Sequence, residues 1–574
     1  MKGRFFHKAN LKYAILLFFV TLILFWKIIL HPNYIIWSPH SDLIEQISYW
    51  SYFRYKSANE FGQFPLWNPY TFSGYPYVGD GSSHLFYPGK IFLYFFNPYP
   101  QFGFIFLVHF FLGGLFVYLF LKTLGIDDFS SFIAGAVYIL SVRLAYIVWA
   151  GYLETETTIM AIPLLFLLVE KYFRKKQVFY LILVPLIFAL QFLGDVAQNS
   201  IYTMFAVFIY YIFRAFTVEK SRINFHNMLK YFSIFAIILV LFALLSSIRL
   251  FPLLEKFEFS SRRQGLIYEV ASTGSAPPYY FITMLMPDFF GSYNNGSYWS
   301  IFGSWHIVSY IGVLPLIFVV LNFLNRNKFT VFFLFLTAFS LIFAMGKYTP
   351  LFFLFYKFVP TFNLFRHPTS MMFFFNFAMI VLVGFGTNFF MSKLKSPKLK
   401  RILFVILLVS IVSIAITVLI YLFASKIMNI GEKILANKIS KASIQLNSLE
   451  FYKDRLRLAY NEVASGFLSM SAFLLLTTLL FYLKSRKPKL KLIKPFIFLI
   501  IFFDLGLYSM SFIQVKDPTI VFEKTDVINF LEKDKGIFRV LPFRNYLLPQ
   551  RSTIRYNIYK VDGYDSMIMK DYYD

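Results

Sequence analysis

The chain has 574 residues, of which 58% are hydrophobic and only 15% are charged, with a formal net charge of +26 and no cysteine. A soluble protein of this length needs far more charged surface, so the composition excludes a soluble globular protein. The lack of cysteine also excludes disulfides and thiolate metal sites. Apolar segments of about 20 residues recur, and each can cross a hydrocarbon core about 30 Å thick. We therefore expect an all-α polytopic membrane protein.

Thirteen segments are predicted to span the membrane. They lie near 11–31, 102–122, 128–149, 157–173, 177–196, 197–216, 229–252, 306–324, 328–346, 369–392, 401–423, 463–484 and 493–513. No small-residue cleavage site follows the first segment, so we expect it to remain in the protein as a signal anchor.

Basic residues concentrate in alternate loops. The loops "KYFRKK", "NRNK", "KLKSPKLKR" and "KSRKPKLKLIK" are strongly basic, whereas the turns "AGYLETE" and "LGDVAQN" contain no Lys or Arg. The positive-inside rule then predicts a cytoplasmic N-terminus in the plasma membrane, and thirteen spans place the C-terminus outside. The positive charge is therefore explained by topology and not by binding to nucleic acid.

The long extramembrane segments all fall on the predicted outer side. They cover about 32–101, 253–305, 347–368, 424–462 and 514–574. This asymmetry predicts a functional site at the outer membrane surface. It also divides the chain into a membrane domain, residues 1–513, and an outer C-terminal segment, residues 514–574. In that segment "TDVINFLEKDKGIFRVLPF" predicts a helix and then a strand, as in a small α/β unit, and we expect a further portion after "KDYYD".

The first outer loop, residues 32–101, contains the first acidic residues of the chain. In "SPHSDLIEQ", Ser41 is predicted to cap a helix that starts at Asp42, with Asp42 and Glu45 complementing the helix dipole. From the residues alone, Asp42 is equally well interpreted as a site residue or as a surface acid. Glu45 is better explained as a solvated acid and His40 as a capping or interfacial residue.

The periodicity of this helix predicts two faces. Leu43, Ile47 and Trp50 fall on an apolar face, and Asp42 and Gln46 fall on a second face that turns to a cavity or to water. The following "FPLWNPYTFSGYPY" combines Pro, Gly, Asn and aromatic residues, which is typical of an ordered irregular loop.

Several stretches together resemble the YfhO family of bacterial membrane proteins, which belong to the GT-C superfamily of glycosyltransferases. The resemblance is carried by "SDLIEQ", "GQFPLWNPYTFSGYPY", "YPGK", "IVSYIGVLPLIF", the segment 346–386 and "VDGYDSM", in this order over nearly the whole chain. Relatives tend to have Gly-His pairs at the outer ends of the third and fifth spans. This chain has Gly151-Tyr152 and Gly194-Asp195 there, which puts any role of those histidines in doubt.

The resemblance implies a GT-C-like fold and the transfer of a sugar from a polyprenyl-phosphate donor to an acceptor on the outer side, with inversion. The acceptor is an envelope glycan, a lipid or a protein. In such enzymes a carboxylate of the first outer loop serves as general base, metal ligand or both, and Asp42 is the matching position. A divalent cation, Mg²⁺ or Mn²⁺, is a possible cofactor, although no compact metal motif is present.

Arginine side chains are the predicted ligands of the donor phosphate, because the planar guanidinium can hold two phosphate oxygens at once. Arg366, beside His367, is the best placed, and Arg249 and Arg262 are further candidates. The alternative for Arg366 is a side chain that extends to the membrane interface.

Two acids and one cation complete the candidate site. Glu154 and Asp195 lie in short outer turns and are secondary acidic candidates or metal ligands; the alternative is that they are solvated. Arg143 lies inside a predicted span, where a charge usually faces a cavity or an ion partner. We expect Asp42 and Arg366 to border one outer-facing cavity.

Two other functions remain open from the sequence. One is a transporter or flippase of lipid-linked saccharides, against which stand the one-sided loops and the lack of detectable inverted repeats. The other is a non-catalytic envelope assembly protein, because fold does not settle activity. The absence of a Gly-rich phosphate loop argues against a nucleotide-driven pump or a nucleotide-sugar donor.

Overall fold

The computed structural model describes residues 8–39, 41–218, 225–300, 303, 307–393, 396–440, 449–543, 548, 553–563, 565 and 567–573. His40, which the sequence suggested as a capping residue, lies outside the described residues.

Helices form most of the described chain. In chain order they are α1 (Lys8–Leu24), α2 (Trp26–Leu30), α3 (Ser48–Asn59), α4 (Pro98–Leu124), α5 (Asp128–Ile139), α6 (Val142–Ala150), α7 (Glu156–Lys175), α8 (Phe179–Gly194), α9 (Ala197–Val218), α10 (Phe225–Leu245), α11 (Ser247–Glu258), α12 (Tyr268–Ala271), α13 (Val313–Leu321), α14 (Lys328–Ala344), α15 (Pro350–Phe358), α16 (Met372–Asn388), α17 (Ser396–Leu422), α18 (Ala424–Ser440), α19 (Leu449–Arg486), α20 (Ile493–Ile501), α21 (Leu507–Ser511), α22 (Pro518–Val521), α23 (Asp526–Leu531) and α24 (Lys570–Tyr573).

The strands are only two residues long and form three separate pairs. β1 (Ile35–Ile36) pairs antiparallel with β4 (Val515–Lys516), β2 (Trp67–Asn68) pairs antiparallel with β3 (Tyr75–Pro76), and β5 (Arg539–Val540) pairs parallel with β6 (Tyr559–Lys560). The helix and the strand expected from "TDVINFLEKDKGIFRVLPF" are α23 and β5.

The prediction of a polytopic helical membrane protein is confirmed. Each of the thirteen predicted spans contains a helix, and in the described part of the chain eight helices are long and apolar enough to cross a membrane. Four shorter apolar helices accompany them. The fourth predicted span, α7, belongs to neither group, because charged residues flank its apolar centre at both ends.

The predicted span 306–324 is only partly helical. Its helix α13 begins at Val313, and residues 308–312 are extended or irregular although they are buried. Gly312 has φ +93°, a conformation that stops a helix from continuing towards the N-terminus. The carboxylate of Asp504 accepts hydrogen bonds from the Tyr310 hydroxyl (2.6 Å) and the Val313 amide (2.8 Å), so the preceding segment is held by side chains instead of by helical turns.

Two helices lie at the centre of the bundle. The apolar windows of 128–150 and 368–392 are almost completely enclosed by protein, whereas those of 226–245 and 397–422 are mostly on its outside. α4 and α5 approach so closely that a Cβ on Gly114 would lie 2.9 Å from the Gly135 carbonyl, and one on Gly135 would lie 2.7 Å from the Gly114 carbonyl. Small residues permit this contact, which is typical of helix packing in membranes.

The third predicted span is broken into α5 and α6 at Leu140 and Ser141. The Ser141 side chain accepts a hydrogen bond from the Leu144 amide and so caps α6, which carries Arg143 and ends at Gly151. Gly151 has φ +79° and closes the helix in a left-handed conformation. This short helix brings both residues to the end of the bundle where the site is found.

The C-terminal segment packs against the first loop. Besides the β1–β4 pair, the Lys560 amide donates to the Tyr70 carbonyl (2.9 Å), and the rings of Tyr70 and Tyr559 stack at 5.1 Å. Lys256 and Asp565 form an ion pair in which both side chains are buried. The segment after 514 is thus attached to the part of the chain that contains Asp42.

Candidate functional site

A cavity of about 580 Å³ lies at the end of the bundle where α6 and α8 end and α16 begins. Its walls come from the first loop, the α6–α7 and α8–α9 turns, α11 and the segment before α16. It brings together eight of the nine predicted site residues: Asp42, Gln46, Arg143, Glu154, Arg249, Arg262, Arg366 and His367. Their roles stay predictions, but Asp42 and Arg366 do border one cavity.

The helix that carries Asp42 begins with a wide turn. Residues Leu43–Ile47 form a π-helical turn, and α3 continues from Ser48. Such a turn holds more residues than an α-helical turn, so positions 42, 46 and 50 stay in one row; Asp42, Gln46 and Trp50 all line the cavity. Single π turns recur at functional sites.

Two predictions about this helix were wrong. Ser41 does not cap it with its side chain; instead its backbone carbonyl accepts from the amides of Ile44 (3.0 Å) and Glu45 (2.9 Å). Trp50 was expected on an apolar face opposite Asp42, yet it shares the cavity wall with Asp42. The π-helical turn brings Trp50 into line with Asp42. The first loop and the C-terminal segment also bury the helix on nearly all sides instead of leaving it on a membrane surface.

Gly151 positions the start of this helix. A Cβ on Gly151 would lie 2.4 Å from the Leu43 amide nitrogen and 2.6 Å from the Leu43 Cβ. Only glycine therefore permits the end of α6 to touch the backbone next to Asp42. A second tie is the Ser38 hydroxyl, which donates to the Trp149 carbonyl. The site helix is held in place by backbone contacts with α6.

The carboxylate of Asp42 is half-buried, and its pKa is shifted. Burial raises its pKa from 3.8 to about 6; the positive charge of Arg366 acts in the opposite direction, and Glu45 adds a smaller upward shift. A carboxylate with this pKa is ionised at neutral pH and is a stronger base than an exposed aspartate.

Glu154 lies in the same cavity and is less acidic still. Burial, with smaller contributions from the negative charges of Asp42 and Asp195, raises its pKa to about 7, against the influence of Lys90 and a hydrogen bond from Ser82. Because Asp42 and Glu154 repel each other as anions, they share fewer than two negative charges near neutral pH.

Asp195 is the predicted site residue that the structure does not bring to the cavity. Its side chain is fully buried behind the wall, where it accepts from the Val196 amide (2.7 Å), the Asn199 amide group (2.9 Å) and the Thr158 hydroxyl. Burial raises its pKa to about 7. The sequence could not show this orientation, because the partners come from α7 and α9 as well as from the turn itself.

Arg249 ties three walls of the cavity together. Its buried guanidinium donates to the Asp195 carbonyl (2.8 Å) and to the Gly81 carbonyl, and it lies 5.0 Å over the ring of Phe192. These contacts engage both terminal nitrogens of the guanidinium with protein backbone, so the structure favours a structural role over the predicted phosphate contact.

Arg366 and His367 lie on an irregular segment before α16. His367 has φ +62°, and its carbonyl accepts from the Gln198 side chain at 3.3 Å. Burial, together with the charges of Arg366 and Arg262, lowers the pKa of His367 to about 4, so this ring is neutral at pH 7. Arg366 therefore supplies charge at this position, whereas His367 supplies only a neutral ring.

The lining carries more positive than negative charge. Among the described residues, four arginines line the cavity (Arg143, Arg249, Arg262 and Arg366), against the two carboxylates Asp42 and Glu154. Arg143 lines the cavity, and its guanidinium lies 4.9 Å over the ring of Phe373. A cavity with this balance and partial burial favours an anionic ligand.

Sequence reasoning missed several lining residues. Ser82, Gln198, Ser370 and Met567 belong to the wall, and Gln198 donates to Ser370 at 3.3 Å. Gln198 lay in the acidic turn "LGDVAQN" and Met567 in "VDGYDSM", so both stretches carried a signal. That signal could not be used, because no local pattern shows that residues as far apart in the sequence as Gln198 and Met567 meet at one cavity.

A metal site is only partly supported by the lining. Within the described residues no group of three or more His, Asp or Glu side chains could hold a metal ion. Asp42 and Glu154 offer two carboxylates. That set fits Mg²⁺ better than a metal that needs a full protein shell, because Mg²⁺ completes its shell with water and substrate phosphate.

The contact of Gly151 with Leu43 yields a testable prediction. Gly151→Ala should cost about 1–3 kcal/mol more stability than Gly125→Ala, because the new methyl group overlaps the Leu43 backbone. Gly125 is the matched control: it has φ +91°, but a Cβ there meets nothing within 4 Å. Thermal unfolding of the two purified variants measures the difference. Equal losses would show that the start of the site helix does not depend on this contact.

Comparisons with known proteins do not show a family for this chain. No family model matches the chain, and no curated protein matches it in sequence. Among solved structures, it is similar to the crystal structure of ArnT from Cupriavidus metallidurans bound to undecaprenyl phosphate. The sequence identity is 12%, the match covers 96% of this chain and 85% of that chain, and the TM-score is 0.46. A similarity with this identity and TM-score does not establish a shared family or function, so membership of the YfhO family and of the GT-C superfamily stays a prediction.

Proposed function

We propose that the chain is a membrane glycosyltransferase of the GT-C type that moves a sugar from a polyprenyl-phosphate donor to an envelope acceptor. The observation that carries the proposal is one cavity that holds a carboxylate with a raised pKa, Asp42, and a phosphate-binding candidate, Arg366. Glycosyl transfer requires both groups: a base for the acceptor hydroxyl and positive charge for the leaving phosphate.

The proposed reaction is a single displacement at the anomeric carbon. The acceptor oxygen forms the new glycosidic bond while its proton passes to the Asp42 carboxylate. The bond from the anomeric carbon to the phosphate oxygen breaks in the same step, and the polyprenyl phosphate leaves with the electron pair. The configuration is therefore inverted. We assign hydrogen bonding of the acceptor to Gln46, which lies one helical turn from Asp42 and lines the same cavity.

The leaving phosphate gains negative charge during the step, and arginine stabilises it. We assign this role to Arg366, with Arg262 and Arg143 also on the cavity lining. Such groups accelerate the reaction because they are already oriented, so no solvent has to reorganise as charge develops.

The proposal includes the side of the membrane on which the cavity lies and a divalent cation as cofactor. From the basic loops we assign the cavity end to the outer side, where a lipid-linked donor in the outer leaflet and an envelope glycan, lipid or protein can both reach it. A bound Mg²⁺ or Mn²⁺ would be held by Asp42 and Glu154 and would neutralise phosphate charge.

Replacement of the proposed base is the first test. Asp42→Asn should lower transfer by about 100- to 10,000-fold, because an amide cannot accept the hydroxyl proton. Purified protein in lipid nanodiscs is assayed with a panel of polyprenyl-phosphate sugars, and release of polyprenyl phosphate is measured. Glu45→Gln is the matched control, since Glu45 lies one turn away and does not line the cavity.

Two results would contradict the proposal in different ways. Full transfer by Asp42→Asn would exclude Asp42 as the base. Failure of the wild-type protein with every donor, together with measurable translocation of the lipid-linked sugar, would favour the flippase function instead.

The pKa of Asp42 predicts the pH dependence. A base with a pKa of about 6 is ionised above pH 6 and protonated below it, so kcat/KM should fall about tenfold per pH unit below pH 6. Transfer is measured between pH 4.5 and 8 with correction for protein stability. An activity that is flat down to pH 5 would mean that no group with this pKa acts as base.

Arg366 is tested by its effect on the donor. Arg366→Ala should lower kcat/KM by about 100-fold, because one charged donor to the leaving phosphate is lost. Arg366→Lys should recover only part of the rate, since lysine keeps the charge but loses the planar fork. Arg263→Ala is the control: Arg263 is exposed and pairs with Glu258 at 2.6 Å outside the cavity. Equal rates for the Arg366→Ala and Arg263→Ala variants would show that Arg366 does not bind the leaving phosphate.

A further inference from the structure

A second cavity lies at the opposite end of the bundle. It is a groove of about 440 Å³ between α13 with its extension Asn322–Leu324 and the first half of α17, and Leu474 of α19 contributes to it. α16 starts beside the candidate site and runs for 17 residues, about 25 Å, before α17 begins at Ser396. The groove entrance is therefore separated from the candidate site by about the thickness of a membrane core.

The body of the groove is apolar and open to the side of the bundle. Val320, Phe323, Val405 and Val409 line it, and each is about half exposed. α17 is long and apolar enough to cross a membrane, and its window is mostly on the outside of the bundle. Apolar side chains at such a position face lipid tails, and the concave shape fits an acyl chain better than a flat helix surface does.

One end of the groove is strongly basic. Lys398 and Arg401 line it, both are exposed, and they are three residues apart in the first turns of α17. That spacing puts them on one face of the helix, and the positive end of the helix dipole adds to their charge. Arg326 and Lys328 follow directly after the other wall.

No acidic residue balances this charge in the walls. The sequence contains no Asp or Glu between Asp288 and Glu432, which includes all of α13 and α17. The segment 485–494, which includes the end of α19 and the start of α20, is likewise free of acids. Two neighbouring cations at the mouth of an apolar groove therefore form a site that is complementary to a phosphate group attached to an acyl chain.

We propose that this groove binds an anionic glycerophospholipid from the leaflet at the basic end of the bundle. The lipid phosphate lies between Lys398 and Arg401, and one acyl chain follows α17 past Val405 and Val409. The proposal does not depend on the glycosyltransferase function, because the groove shares no residue with the candidate site.

Native mass spectrometry of the full chain tests this site with defined lipids. Phosphatidylglycerol and phosphatidylcholine with the same acyl chains are added in equal amounts. The wild-type protein should retain phosphatidylglycerol preferentially. Lys398→Gln with Arg401→Gln should weaken that retention about 30-fold, since each cation contributes about fivefold to the binding of an anionic head group.

Two further variants separate the head-group site from the groove and from general charge. Val405→Trp fills the groove at a half-exposed position and should lower phosphatidylglycerol retention while the thermal stability is unchanged. Lys487→Gln with Lys489→Gln removes the same charge from exposed positions at the same end that do not line the groove, and it should leave retention unchanged.

Three outcomes would overturn the proposal. Equal retention of the two lipids by the wild-type protein would show an unspecific apolar surface. Equal losses in the two double variants would assign the effect to general charge. Displacement of phosphatidylglycerol by equimolar undecaprenyl phosphate would assign the groove to an isoprenoid lipid.

Discussion

The buried guanidinium of Arg249 is the contact on which the candidate site depends. It joins the Gly81 carbonyl of the first loop to the Asp195 carbonyl of the α8–α9 turn, and it packs on Phe192 of α8. Burying a charge is costly unless it is hydrogen-bonded, and a carbonyl left without its donor costs about 1–3 kcal/mol. The three walls of the cavity are therefore coupled through one side chain.

The same burial determines the acid–base properties of the cavity. Burial away from water raises the pKa of Asp42 to about 6 and that of Glu154 to about 7, while Arg366 opposes the shift of Asp42. A carboxylate in water is a weak base, and one paired closely with arginine is weaker still. Partial burial with the arginine near, but without a direct ion pair among the described contacts, gives a base that is ionised at neutral pH and still accepts a proton readily.

The two ends of the bundle have different chemistry, and α16 connects them. At one end irregular loops close a polar cavity that is lined by arginines and carboxylates. At the other end the helices stop in short basic loops, and the groove between α13 and α17 is apolar apart from Lys398 and Arg401. Irregular backbone needs hydrogen-bond partners outside helical turns, and side chains and loops supply them at the cavity end. A site with several polar groups is therefore built there, and a lipid site is favoured at the basic end.

The sequence alone determined the membrane-spanning helices and the residue types of the candidate site. A run of 20 apolar residues is a local property, so the places of the apolar helices could be predicted, although only eight of the described helices are long and apolar enough to cross a membrane where thirteen spans were predicted. Arg366 was indicated by its place at the start of a span, whereas Asp42 was singled out by the resemblance to a known family. Only the tertiary structure decided which polar groups face the cavity. In the folded chain the Asp195 side chain lies behind the cavity wall, and the Arg249 guanidinium donates to backbone carbonyls. It also buried the helix after Asp42 on nearly all sides. These outcomes depend on hydrogen-bond partners that come from distant parts of the chain, and neither hydropathy nor spacing along one segment contains that information.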